Sequence, residues 1–323
     1  MRNKLATIGL VTFLVLDLAL VALALRPGRG APASTPGVAV SVPAATTPTA
    51  SASASTSGTA TPTGTATTGG STAPEPAPVT ALVGALDATT AWRATAGSCK
   101  EGGSAALVTT DGGATWNKTK TPARSLARVQ PLDQDRVFAV AAGADCALKQ
   151  YASNDRGDSW QAPTAVSGGW ARQLDAPTDV LSPQNDRAQP CGTSTDVIDL
   201  SRTSASQAQA LCASGAVRLT TDGGSTWTDS GGVSGGLALG NRVVSGTLRT
   251  YVARVGGDCP GLQLVRVSKG AALDSVACIG SSVPAKPGQV GLAVVGEAGW
   301  LVVGNEPWVG SADLTTWKQP ATS

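Results

Sequence analysis

Two hydrophobic regimes divide the chain. Leu5 to Leu25 is one run of 21 mostly apolar residues, interrupted only by Thr7, Thr12 and Asp17. At about 1.5 Å per residue a helix of this length spans about 30 Å, the thickness of a bilayer core. Beyond residue 25, apolar residues come in short runs such as Ala105–Val108 and Ala216–Leu219, each cut off by Gly, Asp or Ser. No helix-length amphipathic pattern follows, so short strands joined by tight turns are expected. Residues 26–80 lie between the two regimes. They are almost wholly Pro, Ala, Thr, Ser and Gly, without the periodicity a core requires. The expected organisation is a membrane segment at 1–25, a disordered stalk at 26–80 and an all-β domain at 81–323.

The apolar run is expected to be an uncleaved signal-anchor, being longer than a usual signal-peptide core; the alternative is a cleaved signal peptide with Ala22-Leu23-Ala24 as the small-residue site. Both place the remainder outside the cytoplasm, inserted in or exported across the cytoplasmic membrane. Asp17 sits mid-span, where a lone acid costs about 2.5–3.5 kcal/mol. It is either a tolerated protonated acid or a contact within the membrane.

Within the all-β region one pattern recurs. Thr109–Trp116 reads TTDGGATW, Ser153–Trp160 reads SNDRGDSW and Thr220–Trp227 reads TTDGGSTW; a shorter copy, SADLTTW, runs from Ser311 to Trp317. The roles at this spacing are local. Asp111, Asp155 and Asp222 can each accept hydrogen bonds from backbone N–H groups of their own turn. Gly113, Gly157 and Gly224 supply the positive φ that a side chain opposes. Trp116, Trp160, Trp227 and Trp317 start the return strand and can bury large apolar surfaces. Asp313 heads the worn copy.

This Ser/Thr-x-Asp-x-Gly-x-Ser/Thr-Trp pattern resembles the Asp-box of the bacterial neuraminidase repeat, found in sialidase-like β-propellers. The aspartates are spaced by 44, 67 and 91 residues. The last gap is close to two units of 45, and Tyr251–Cys259 echoes Phe138–Cys146, which locates a worn repeat with its turn at Ser268–Gly270. The gap of 67 implies an insertion near Trp170–Pro190. A period of about 45 residues marks propeller blades. Five four-stranded blades are expected, or six if the insertion and the N-terminal strand build another. Closure is expected to pair a strand near Ala81–Leu86 with the last blade.

Composition narrows the chemistry. The 323 residues contain no His, which removes Ser-His-Asp and Cys-His catalysis and the commonest metal ligand. The charged residues before position 81 (Arg2, Lys4, Arg26, Arg29, Asp17 and Glu75) account for the whole net charge of +2. The domain is therefore neutral, which argues against nucleic acid. Six Cys in an exported domain imply three disulfides. Hairpin turns near Ser268–Ala271 and Ser201–Thr203 bring Cys259 to Cys278 and Cys191 to Cys212, leaving Cys99 for Cys146. No C-x-x-C spacing occurs, and no cofactor or metal is expected.

Sialidases with this box use an arginine triad, a Tyr/Glu pair, an acid/base Asp and an Arg-Ile-Pro motif. Here Arg-Ile-Pro is absent, and the domain has only Glu101, Glu297, Glu306, Tyr151 and Tyr251. The resemblance therefore points to the non-catalytic branch, which includes photosystem assembly factors and sortilin-type receptors, and implies a binding or scaffold protein with a protein partner. The alternatives are a cell-wall glycan-binding module and a sialidase-like glycoside hydrolase. For a glycan, Trp170 after Gly168-Gly169 and Trp308 after Pro307 are the candidate ligand-facing side chains. Trp300, in Gly-Trp-Leu-Val-Val-Gly, is expected between blades. The insertion is the expected specificity element.

Overall fold

A computed structural model of the chain describes residues 80–268, 273–282 and 284–321. The expected membrane segment, stalk residues 26–79 and most of the turn after Ser268 lie outside them. No helix among the described residues is long and apolar enough to cross a membrane.

The chain folds as a five-bladed β-propeller. Blade one is β1 (Ala81–Ala85), β2 (Ala91–Thr95), β3 (Ala105–Thr109) and β4 (Asn117–Thr119). Blade two is β5 (Ser125–Pro131), β6 (Val137–Ala142), β7 (Leu148–Ser153) and β8 (Thr164–Ala165). A two-stranded ribbon follows, β9 (Ala171–Arg172) with β10 (Val180–Leu181). Blade three is β11 (Val197–Arg202), β12 (Ala208–Cys212), β13 (Ala216–Thr220) and β14 (Thr228–Gly232). Blade four is β15 (Gly236–Val244), β16 (Thr247–Val255), β17 (Leu262–Val267) and β18 (Leu273–Ile279). Blade five is β19 (Val290–Val295), β20 (Ala298–Val303), β21 (Glu306–Gly310) and β22 (Trp317–Lys318). Each blade is an antiparallel meander in chain order. The first strands line the centre: β1 packs between β5 and β19, β15 between β11 and β19, and the ribbon's β9 between β5 and β11.

The apolar runs become second strands. β12 and β20 are buried at every position because neighbouring blades cover both faces. A blade cannot bury both faces alone, so the clusters form between blades. Leu126, Val129, Val137 and Ala139 join Trp92 and Val108 across blades one and two. Leu211 and Val217 join Leu239, Val252 and Val265 across blades three and four.

Two expectations are corrected. No sixth blade forms: the insertion makes only the ribbon, and the N-terminal strand belongs to blade one. The ribbon is a wedge. Ala171 and Leu181 pack on Val140 of blade two, while Val180 and Ala188 pack on Val197 and Ala210 of blade three. Closure does not use a shared strand either, since β1 hydrogen-bonds only to β2 within a sheet and blade five consists of its own four strands. The ring shuts through side chains and two backbone bonds. Trp300 of blade five meets Trp116 of blade one edge to face at 5.8 Å, in a cluster with Ala85 and Ala91. Trp300 Nε1 donates to the Asp87 carbonyl at 2.8 Å, and the N–H groups of Thr80 and Ala81 donate to the Gly288 carbonyl.

The two rims of the ring differ. Registers align Ala85, Ala91 and Thr109 at one end of blade one, and Ala81, Thr95 and Ala105 at the other. The repeated turns follow the third strands and so occupy the first rim. Pro320, near the end of the chain, packs against Gly113 there. The disulfides Cys99–Cys146, Cys191–Cys212 and Cys259–Cys278 all lie toward the second rim. Their pairing agrees with the sequence analysis, although the turn between β11 and β12 is Thr203–Gln207 rather than Ser201–Thr203.

Candidate functional site

The repeated turns satisfy themselves. Thr109 Oγ1 donates to Asp111 Oδ1 at 2.8 Å and accepts from the Gly113 N–H at 2.9 Å. Asp111 also accepts from the N–H and hydroxyl of Thr115. Ser153, Asp155, Gly157 and Ser159 repeat this arrangement, as do Thr220, Asp222, Gly224 and Thr226. In the shorter copy Ser311 and Thr315 donate to Asp313. Hydrogen bonds to the charged form, led by the Thr115, Ser159, Thr226 and Ser311 hydroxyls respectively, hold all four carboxyls down at about 2. A carboxylate so engaged is a poor proton acceptor at neutral pH. Gly113, Gly157 and Gly224, two residues after Asp111, Asp155 and Asp222, have φ near +90° and face the preceding element, so these three turns join neighbouring blades. A Cβ on Gly224 would come within 2.6 Å of Ser182 Cβ in the loop after β10.

The tryptophans mark the same joints. Trp170 is fully buried, contrary to its expected exposure. Its ring meets Trp227 edge to face at 5.9 Å and its Nε1 donates to the Ser204 carbonyl, so it seals the wedge against blade three. Trp308 is half-buried on the core cluster of blades four and five. Trp92, which the repeat pattern does not single out, donates to the Arg156 carbonyl of blade two. Trp92 and Trp170 are too deeply buried to stack on a sugar.

The concave feature of the ring is its centre, a cavity of about 570 Å³ lined by β1, β5, β9, β11, β15 and β19. Of the residues singled out from sequence, only Cys99, Cys146 and Trp170 line it. Its lining runs the length of the inner strands, from Ala85, Arg202 and Val295 at the rim of the turns to the disulfide rim. There it continues into the loop carrying Cys99 and Lys100, the Cys99–Cys146 bridge, Leu174 and Pro177, which form a mouth.

Its polar lining is one-sided in charge. Arg128 of β5, Arg172 of β9 and Arg202 of β11 face Asp199 of β11, with Lys100 at the mouth. Arg128, Arg172, Asp199 and Arg202 are half-buried, Lys100 is exposed, and protein encloses Arg128, Arg172 and Asp199 more deeply than Arg202. Burial therefore pushes Arg128 down to about 9, aided by the like charge of Arg202, and Arg172 down to about 10, opposed by Asp199 and Asp196. Arg202 is lowered by burial as well. Burial raises Asp199 to about 6, against the N–H donors of Leu239 and Leu200 and the charge of Arg172. Those donors engage both its oxygens, at 2.7 and 2.8 Å. Arg128 is anchored to the Trp170 carbonyl and the Gln130 side chain. The Nε atoms of Arg172 and Arg202 are buried without a hydrogen-bond partner. Unpaired guanidinium groups in a recess of low dielectric are expensive, and a ligand anion would relieve that cost.

Arg128, Asp199 and Arg202 belong to no motif in the sequence, and Arg172 is marked only by lying within the Trp170–Pro190 insertion. A signal exists in the alternation Asp199-Leu200-Ser201 and Arg128-Val129-Gln130. It reads as an ordinary solvent face until these strands are known to be innermost. Among the described residues no cluster of three or more metal-ligating side chains forms.

No family model matches the chain, and no curated protein does. Solved structures similar to it include YCF48 bound to D1 peptide, at 15% identity over 75% of this chain and 66% of that one, with a TM-score of 0.28. The SapL1 lectin in complex with alpha methyl fucoside is 12% identical over 76% and 96%, with a TM-score of 0.46. A Trypanosoma rangeli sialidase is 14% identical over 76% and 48%, with a TM-score of 0.31. The five-bladed architecture stands on the chain's own strand order and registers.

Proposed function

We propose that this protein is a non-enzymatic, extracytoplasmic binding propeller of Asp-box type. Residues 1–25 hold it in the membrane as a single-pass anchor, residues 26–80 act as its stalk, and a protein partner docks on the rim around the central cavity. The observation that carries this reading is the position of the cavity mouth, on a rim whose loops are fixed by disulfides, since binding surfaces favour loops on a rigid scaffold. Three disulfides also fit an oxidising compartment. The non-enzymatic part is supported by the acids: the four turn aspartates are engaged in their own turns, Asp199 is engaged by backbone, and no Glu or Tyr lines the cavity. The test is in-cell crosslinking of the full-length chain followed by mass spectrometry, repeated with Lys100→Glu and Leu174→Glu at the mouth. One dominant protein partner, lost in the double variant, is expected. Capture that the variant leaves unchanged, or no captured protein, overturns the reading.

A further inference from the structure

We propose that the central cavity binds a small organic carboxylate, with its anionic end on Arg172 and Arg202 and its apolar body against Leu82, Ile198 and Leu200. This goes beyond the partner-binding function and does not depend on it.

Three observations converge. The cavity's volume lies within the range of small-molecule sites, roughly 300–1,000 Å³. Its charge is unbalanced: Arg128, Arg172 and Arg202 line it with Asp199 as the one lining acid, and Asp199 and the neighbouring Asp196 act on Arg172. The pairing is also incomplete. Arg128 is committed to Trp170 and Gln130, whereas Arg172 and Arg202 have no hydrogen bond or ion pair and keep a buried, unpartnered Nε. Asp199 acts on Arg172 through its charge but forms no hydrogen bond with either arginine; its oxygens accept from the Leu200 and Leu239 N–H groups.

The guanidinium fork matches a planar carboxylate, which can accept two parallel N–H bonds. The remaining lining selects an organic anion over an inorganic one. Leu82, Ile198 and Leu200 are half-buried and present apolar surface that a bare phosphate would leave wet. The wedge explains how the site arises: Arg172 is the only arginine here that a blade does not supply, and it arrives on β9 through the insertion.

The experiment is isothermal titration calorimetry on the full-length chain in lipid nanodiscs, with empty nanodiscs as the blank. The probes are hexanoate, its neutral counterpart 1-hexanol, and inorganic phosphate. Saturable one-site binding of hexanoate is expected, with 1-hexanol weaker by about ten- to a hundredfold, the value of hydrogen bonds to a charged group. Arg172→Met with Arg202→Met is expected to remove the difference between hexanoate and hexanol while leaving hexanol binding in place. Should that variant fail to fold, the comparison on the unaltered chain still decides. Equal binding of hexanol and hexanoate overturns the proposal, as does phosphate binding in preference to hexanoate or no binding of any probe. Failure here leaves the crosslinking result untouched, and a missing protein partner leaves this titration untouched.

Discussion

The ring of Trp300 in the last blade stands edge-on against that of Trp116 in the first, 5.8 Å apart at 85°. Together with the Trp300–Asp87 bond it does what a shared strand does in other closed sheets. Trp300→Ala should therefore cost about 3–5 kcal/mol, the range for buried Trp truncation, and should loosen the joint between blades one and five. Urea unfolding measures the loss. Hydrogen exchange should speed up first at β1, β2 and β20, and an even rise across all blades would contradict a closing role.

Gly224 and Gly192 both have positive φ, +94° and +83°, but only Gly224 is crowded. Alanine at either position meets the left-handed penalty of about 1–2 kcal/mol. Gly224→Ala adds a collision with Ser182, and overpacking of that kind costs about 1–3 kcal/mol more. Gly192→Ala has nothing within 4 Å of the new carbon. Thermal melts of the two variants should rank Gly224→Ala as clearly the less stable.

The four turn carboxyls are lowered from 3.8 to about 2. A group lowered in the folded state contributes stability that is present above its unfolded value and lost as pH falls through its folded one. The melting temperature should thus hold down to about pH 4 and drop steadily toward pH 2. Asp222→Asn removes one of the four contributions, so its curve should start lower and fall less steeply. A parallel curve would dissociate Asp222 from the acid transition.

Asp199 behaves in the opposite sense. Raised to about 6, it loses its charge on mild acidification while a carboxylic ligand stays ionised. It then faces Arg172 of β9 as a neutral group, leaving the Asp196 carboxylate and the cationic Arg128 and Arg202 around it. Hexanoate affinity should therefore rise between pH 7.5 and 5.5, read by the same titration. Affinity that falls over this interval would show that the ionised Asp199 organises the arginines instead of competing for them.

The blades were legible from the sequence because their turns are self-contained. An Asp, a hydroxyl two residues before it and a Gly two residues after it fix one another within eight residues, so the pattern survives whatever surrounds it. The worn blade around Tyr251–Cys259 was legible by its second strand, which must stay apolar when neighbours cover both faces. Trp170 was misread because exposure is set by what packs alongside, and its partner Trp227 lies 57 residues away. The central arginines were invisible for a related reason. A period-two alternation of polar residues looks the same whether the polar face meets bulk water or a cavity that only six separate strands create together.

The chain enters and leaves the ring on opposite rims. Thr80 is tied to Gly288 beside the mouth, whereas Pro320 lies against the turn of Gly113 on the far side. A bulky tag at the carboxyl end therefore leaves the mouth clear.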